Sequence, residues 1–254
     1  MCVRSWGTMP AFLRHWMNGI SRPKSACTVR DDYVLRDYML AAFKPMMPKG
    51  RALEMGCYHG EFTKKLSAVF KDLTVIEGAS DHITIAKKNA PKATFIHSAF
   101  EDAKFDKPFD AIFLMHTLEH LDDPVGILKL VNTWLSPKGK LFLVVPNAYA
   151  PSRQIAVKMG LIKHPEAVTQ GEREHGHRIT YSMKTLKRDA KAGGFSILKE
   201  GGIFFKPFAN YQFDKLMKTD IISKAYLDGC YALGEEYPEL CASIYLVCGK
   251  GKRR

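Results

Sequence analysis

From residue 50 onward the chain alternates short apolar runs with longer segments whose apolar residues recur at helical spacing. The runs are RALEMG (51–56), LTVIEG (73–78), ATFIHS (93–98), DAIFLMH (110–116) and KLFLVVPN (140–147), one roughly every 20 to 30 residues. Short continuous apolar runs bounded by turn residues read as strands buried on both faces. Their alternation with helices reads as a mostly parallel sheet, doubly wound, with helices on both sides. The segment 124–135 carries the clearest helix punctuation. Asp123 stands at the cap position, Pro124 suits the first turn, and Ile127, Leu128, Val131, Trp134 and Leu135 share one face, with Pro137 and Gly139 as stops. A second helix is expected from a Ser182 cap to AKAGG, with Gly193 or Gly194 in the left-handed closing position. Two later strands, FSILKEGGIFF (195–205) and CASIYLVCGK (241–250), bring the sheet to seven.

Two connections are long for an α/β unit, 147–181 and 206–240. Ligands of doubly wound sheets bind outside the carboxyl ends of the strands, where both connections begin, so both are candidate substrate covers. The first 48 residues precede the sheet and are expected to add a helical lid. Within them Phe12, Leu13, Trp16, Met17 and Ile20 fall on one helical face, a stripe better suited to core packing than to a membrane. No repeat or long linker interrupts the chain, so one domain over 1–254 is expected.

Composition narrows the picture further. No apolar run approaches the roughly 18–20 residues that span a bilayer. The six cysteines are scattered without a C-x-x-C pair, which suits reduced thiols in the cytoplasm. The net charge of +12 favours anionic partners, an anionic small acceptor among them. No basic stripe interleaved with aromatics is present, so nucleic acid is a poor candidate.

The chemistry begins after the first strand, at Glu54-Met55-Gly56-Cys57-Tyr58-His59-Gly60-Glu61. Glycines in a strand–helix turn let the backbone approach a ligand closely. Glu77, ending the second strand, is placed to accept the two hydroxyls of a ribose. A dinucleotide does not fit, because Glu54 and Glu61 flank the turn and would repel a pyrophosphate. A nucleoside carrying an ammonium fits, which points to S-adenosylmethionine.

The segments ALEMGCYHGEFTKKL, VIEGAS, FIHSAFED, FDAIFLMHTLEHLDDP and LSPKGKLFLVVPN resemble, in order and spacing, the motifs of class I S-adenosylmethionine-dependent methyltransferases. The resemblance is to the branch holding ubiquinone-biosynthesis O-methyltransferases and bacterial sugar and natural-product methyltransferases. It is strong over 50–148 and weaker over 172–205. It implies a Rossmann-like sheet with an antiparallel last strand, a cofactor core over 49–148 and lid insertions at 149–181 and 206–240. It also implies that Glu54, Gly56 and Gly60 line the methionine end and that Glu77 holds the ribose. Gly78 and Ala79 would border the adenine, Ser98, Ala99 and Phe100 would close over it, and Met115 and His116 would face the cofactor. Two positions depart from the family: Tyr58 replaces a common glycine, and Ala99 stands where an acidic adenine ligand is frequent.

His116-Thr117-Leu118-Glu119-His120 also fits the H-x-x-E-H pattern of inverted zinc peptidases. That chemistry needs both histidines on one helical turn. Here His116 ends a strand and Pro124 begins the next helix, so no metal site is expected. Methyl transfer to a hydroxyl does need a base, and histidine titrates near neutrality. His120 follows the fourth strand, while His175 and His177 end the long connection over the same edge, which makes these three the candidate bases. The activity expected is O-methylation of a small hydroxyl-bearing metabolite such as a sugar. N-methylation of a small amine is the alternative, and RNA or protein methylation is less favoured, since MHTLEH replaces the Asn/Asp-Pro-Pro-aromatic motif of base-amino methyltransferases.

Overall fold

The computed structural model describes residues 29–251, and the apolar stripe at 12–20 lies outside them. Seven strands form one sheet: β1 (Arg51–Met55), β2 (Asp72–Glu77), β3 (Thr94–His97), β4 (Phe109–Met115), β5 (Leu135–Pro146), β6 (Phe195–Phe205) and β7 (Cys241–Lys250). Their order is β3-β2-β1-β4-β5-β7-β6. Pairs from β3 through β5 are parallel, and β7 runs antiparallel to both β5 and β6. The strand order reverses between β1 and β4, which opens a crevice at their carboxyl ends.

The pleat sorts alternate residues into two cores. Ala52, Phe113, Phe142, Val144 and Tyr245 face one side. Leu53, Met55, Ile112, Leu114, Leu141, Leu143 and Val145 face the other. On that second side lies α4 (Pro124–Trp134), with Ile127, Leu128, Val131 and Trp134 buried and the Asp123 carboxylate accepting from the Gly126 amide at 2.8 Å. The helix ends one residue early. Leu135 already pairs with Phe109, so the Pro137–Gly139 stretch belongs to β5 instead of a loop. Gly139 is needed there, since a Cβ would stand 2.8 Å from the Phe109 carbonyl oxygen. On the same side, α7 (Met183–Ala192) opens on a Ser182–Thr185 capping box and closes through Gly194 at φ +85°.

α1 (Val29–Phe43), in the segment expected to form a lid, packs one face into the core. Leu35, Met39 and Phe43 repeat every four residues and are buried, and the Phe43 ring meets Phe142 and Tyr245 at 5.2 and 5.3 Å. α2 (Glu61–Ser67) and α3 (Ser80–Asn89) follow β1 and β2. The 147–181 connection carries α5 (Pro151–Lys158) and α6 (Gln170–Glu174), and the 206–240 connection carries α8 (Asn210–Leu216) and α9 (Lys224–Glu236). Because β6 runs parallel to β5, both connections leave the same sheet edge. The first is braced by Arg153, which pairs with Glu172 and donates to the carbonyls of Pro165 and Ala167, and it returns through a bridge between Asn147 and Tyr181. Cys57, Cys230, Cys241 and Cys248 are free thiols. Among the described residues no helix is long and apolar enough to cross a membrane.

Candidate active site

The turn after β1 depends on left-handed backbone at three positions: Gly56 (φ +76°), Tyr58 (φ +48°) and Gly60 (φ +82°). Two of them leave no room for a side chain. A Cβ on Gly56 would lie 2.9 Å from Thr117 Oγ1, and one on Gly60 would lie 2.7 Å from Ala86 Cα. Tyr58, at the departure from the family pattern, keeps the loop path by accepting an unfavourable φ. The Glu77 carboxylate braces this loop. Its Oε2 accepts from the amides of Cys57 (3.0 Å) and Tyr58 (3.2 Å), and its Oε1 accepts from Ala79 (3.0 Å). The ribose-binding candidate is thus held at the rim of the crevice with one edge turned to the glycine loop.

Glu54, inside β1, is 1% exposed, and its Oε2 has no hydrogen-bond partner among the described residues. Burial pushes its carboxyl up to about 7, with the Thr63 side chain and the charge of Arg36 pulling down and the charge of Glu77 pushing up. A buried carboxylate oxygen without a partner is costly unless something else satisfies it. Gly78, Ala79 and the β3 end form a shelf beside Glu77. The Ser98 amide donates to the Glu77 carbonyl, the His97 ring bonds the Gly78 carbonyl at 3.0 Å, and the space above Gly78 is open. Ser98 donates its hydroxyl to the Ala99 carbonyl, whereas Phe100 packs partly into the core.

The β4 end carries two of the expected site residues. Met115 is a core residue, 4% exposed. His116 takes φ +53°, and its Nε2 meets Ser243 Oγ on β7 at 2.9 Å, across β5 and away from the glycine loop. Burial, with Arg36, His177, His120 and Lys206 adding to it, holds this imidazole well below its ordinary pKa, hence neutral.

The next turn, Leu118–His120, is a short 3-10 helix, so the two histidines of H-x-x-E-H diverge. His116 goes to Ser243. His120 meets His177 edge-to-face, with ring centroids 4.6 Å apart. Between them stands Glu119, 1% exposed, with neither carboxylate oxygen hydrogen-bonded among the described residues. Potential ligand atoms of Glu119, His120 and His177 all lie within 4.8 Å of one another. Backbone bonds fix this group. The amides of Arg178 and Ile179 donate to the Glu119 carbonyl at 2.8 and 3.3 Å, and Arg178 pairs with Asp122 at 2.9 Å. Burial raises Glu119 to about 8, lowers His177 to about 4, and lowers His120. His175 is left out: it is exposed, and its Nδ1 lies 2.6 Å from the Gly171 carbonyl of its own helix.

Three residues of this edge escape a reading by motif. Arg36, on α1, exerts its charge on Glu54, His116 and Glu119 together. Its signal in the sequence was a charge on the buried stripe, three before Met39 and seven before Phe43. Glu119 was visible as part of a metal pattern and not as a candidate site residue. Ser243 carried no signal.

Comparison with known proteins places this geometry. A family model described as a methyltransferase domain matches residues 29–200. A ubiquinone biosynthesis O-methyltransferase of Xanthomonas campestris pv. campestris is 28% identical over 152 residues, 57% of this chain and 61% of the relative. This chain thus spans about three fifths of that relative's length. The enzyme of the same description from Xanthomonas euvesicatoria pv. vesicatoria is 28% identical over 205 residues, 78% of this chain and 82% of the relative. A solved Thermotoga maritima structure, described as an S-adenosylmethionine-dependent methyltransferase and possible histamine N-methyltransferase, superposes with TM-score 0.60 at 18% identity. That superposition covers 95% of this chain and 96% of the other. The sheet order with its antiparallel β7, the glycine turn with Glu77, and the family match over more than half the chain agree: the protein belongs to the class I S-adenosylmethionine-dependent methyltransferases.

Proposed function

We propose that the protein transfers a methyl group to a hydroxyl of a small molecule. The observation that carries this reading is the group of Glu119, His120 and His177, held beside His116 at the sheet edge that also carries Glu54 and Glu77. Glu54 and Arg36 offer opposite charges to the ammonium and carboxylate of the methionine end. Gly56 and Gly60 give the backbone close approach, Glu77 accepts from the ribose, and Gly78 with the Ser98–Phe100 shelf borders the adenine. S-adenosylmethionine, when bound, supplies a methyl already activated on a sulfonium. What remains for the chain is alignment of the acceptor and removal of its proton. His120 and His177 are neutral imidazoles fixed before any ligand arrives, so they suit that proton, while His175 does not. The 147–181 and 206–240 connections form the acceptor's cover. Similarity to enzymes described as ubiquinone biosynthesis O-methyltransferases supports oxygen over nitrogen. The experiment is methyl transfer from labelled S-adenosylmethionine to catechols, sugars, small amines and RNA. Labelling of a hydroxyl compound, lost in His120→Ala or His177→Ala, supports the reading. Labelling of amines or RNA alone overturns it.

A further inference from the structure

Tyr58 holds a left-handed backbone (φ +48°) that glycine adopts without strain, yet the chain keeps a large side chain there. Strain retained in a ligand-facing loop points to a use for the side chain that imposes it. The ring does not serve the core, since Tyr58 is 46% exposed. It stacks on His59, with centroids 3.7 Å apart and planes 18° from parallel, and meets His82 edge-on at 4.9 Å. His59 and His82 meet in turn at 5.6 Å. Three rings, from the glycine loop and the first turn of α3, thus form one aromatic wall. The loop beneath it is fixed, because Asn89 donates to the His59 carbonyl at 2.7 Å and Gly60 closes on Ala86.

This wall borders Glu77. Oε2 of that carboxylate accepts two amides, those of Cys57 and Tyr58, whereas Oε1 accepts the amide of Ala79. A carboxylate oxygen accepts about two hydrogen bonds, so a further donor enters at Oε1. His82 Nδ1 lies 3.7 Å from Oε1, too long for a direct hydrogen bond. A hydroxyl entering there donates to Glu77 and comes within reach of the imidazole.

We infer that Tyr58 and His82 form the outer wall of the ribose subsite and govern how long the nucleoside stays bound. The Tyr58 ring covers the C–H surface of the sugar, and His82 shares with Glu77 the hydroxyl that enters at Oε1. The inference rests on reading Glu77 as the ribose acceptor, and it gives a role to the side chain that stands where the family commonly has glycine. Contacts of this kind act mostly on dissociation, the step in which related complexes differ.

The test is S-adenosylhomocysteine binding to the full-length protein, by calorimetry for affinity and stopped flow for release. Glycine and asparagine both tolerate the left-handed φ, so Tyr58→Gly and Tyr58→Asn should fold, which urea unfolding checks. Each is expected to bind about fivefold more weakly or worse through faster release, while Tyr58→Phe stays within about twofold of wild type. His82→Ala should lose about threefold or more. Tyr58→Trp should keep affinity and change its emission on ligand saturation beyond the change in wild type, which a ring turned away from the ligand would not do. Glu77→Ala, measured in parallel, reports the ribose reading itself. If Glu77→Ala is weakened while Tyr58→Gly and Tyr58→Asn bind and release as wild type does, the wall is refuted and the ribose reading stands. Wild-type affinity in Glu77→Ala, or no binding by the wild-type protein, overturns both.

Discussion

Replacing Glu54 by glutamine should stabilise the ligand-free protein, and only on the alkaline side. Burial holds the Glu54 carboxyl at about 7 in the fold against an ordinary 4.5. Below pH 4.5 it is protonated in both states, and its contribution to stability is fully present. As pH rises from 4.5 to 7 the unfolded chain ionises while the folded chain keeps its proton, so stability is lost until the folded group also ionises. At about 1.36 kcal/mol per pH unit of separation, the loss comes to about 3 kcal/mol. Glutamine keeps the shape and has no charge to bury, so the variant escapes the loss. Urea unfolding of both proteins at pH 4.5 and pH 8, without ligand, reads the difference directly. The variant's advantage should be about 3 kcal/mol larger at pH 8. Every other titrating group is common to both proteins and cancels. An advantage equal at the two pH values would refute the account of Glu54 as an acid whose burial raises its pKa.

The same carboxylate should make cofactor affinity depend on pH. S-adenosylhomocysteine should bind wild type up to tenfold more weakly per unit below pH 7, and calorimetry should find Glu54→Gln weaker but flat with pH. Gly60→Ala forces a Cβ to within 2.7 Å of Ala86 Cα at φ +82°, which should cost about 2 kcal/mol or more by denaturant midpoint. Stopped-time methyl-transfer assays should show kcat reduced about 100-fold in His120→Ala or His177→Ala with S-adenosylhomocysteine affinity preserved, and near wild-type kcat in His175→Ala.

Much of the sheet was legible because each buried strand is an apolar run between turn residues, the glycine turn because backbone conformation there restricts the residue type, and Glu77 because it is an acid ending the second strand. What escaped depends on long-range placement. Leu135 looked helical by its periodicity, and only its pairing with Phe109 makes it strand. His116 sits in the motif stretch of β4, yet its side chain follows a left-handed φ toward Ser243, 127 residues away. The charge of Arg36 reaches Glu54 because α1 packs into the core beside the sheet, a placement that no local pattern encodes. His177 and His175 looked equivalent in EHGH. The turn at Gly176, with φ +85°, sends one ring to His120 and leaves the other on its own helix.

The central claim is that the crevice between β1, β2 and β4 holds the adenosyl ligand through Glu77. Calorimetric titration with S-adenosylhomocysteine, comparing wild type with a folded Glu77→Ala variant, tests it most directly. Glu77 braces the glycine loop and is proposed to accept from the ribose, so the account predicts one site per chain in wild type and a loss of about 1–3 kcal/mol in the variant. Unchanged affinity in the variant, or no binding by wild type, would contradict it.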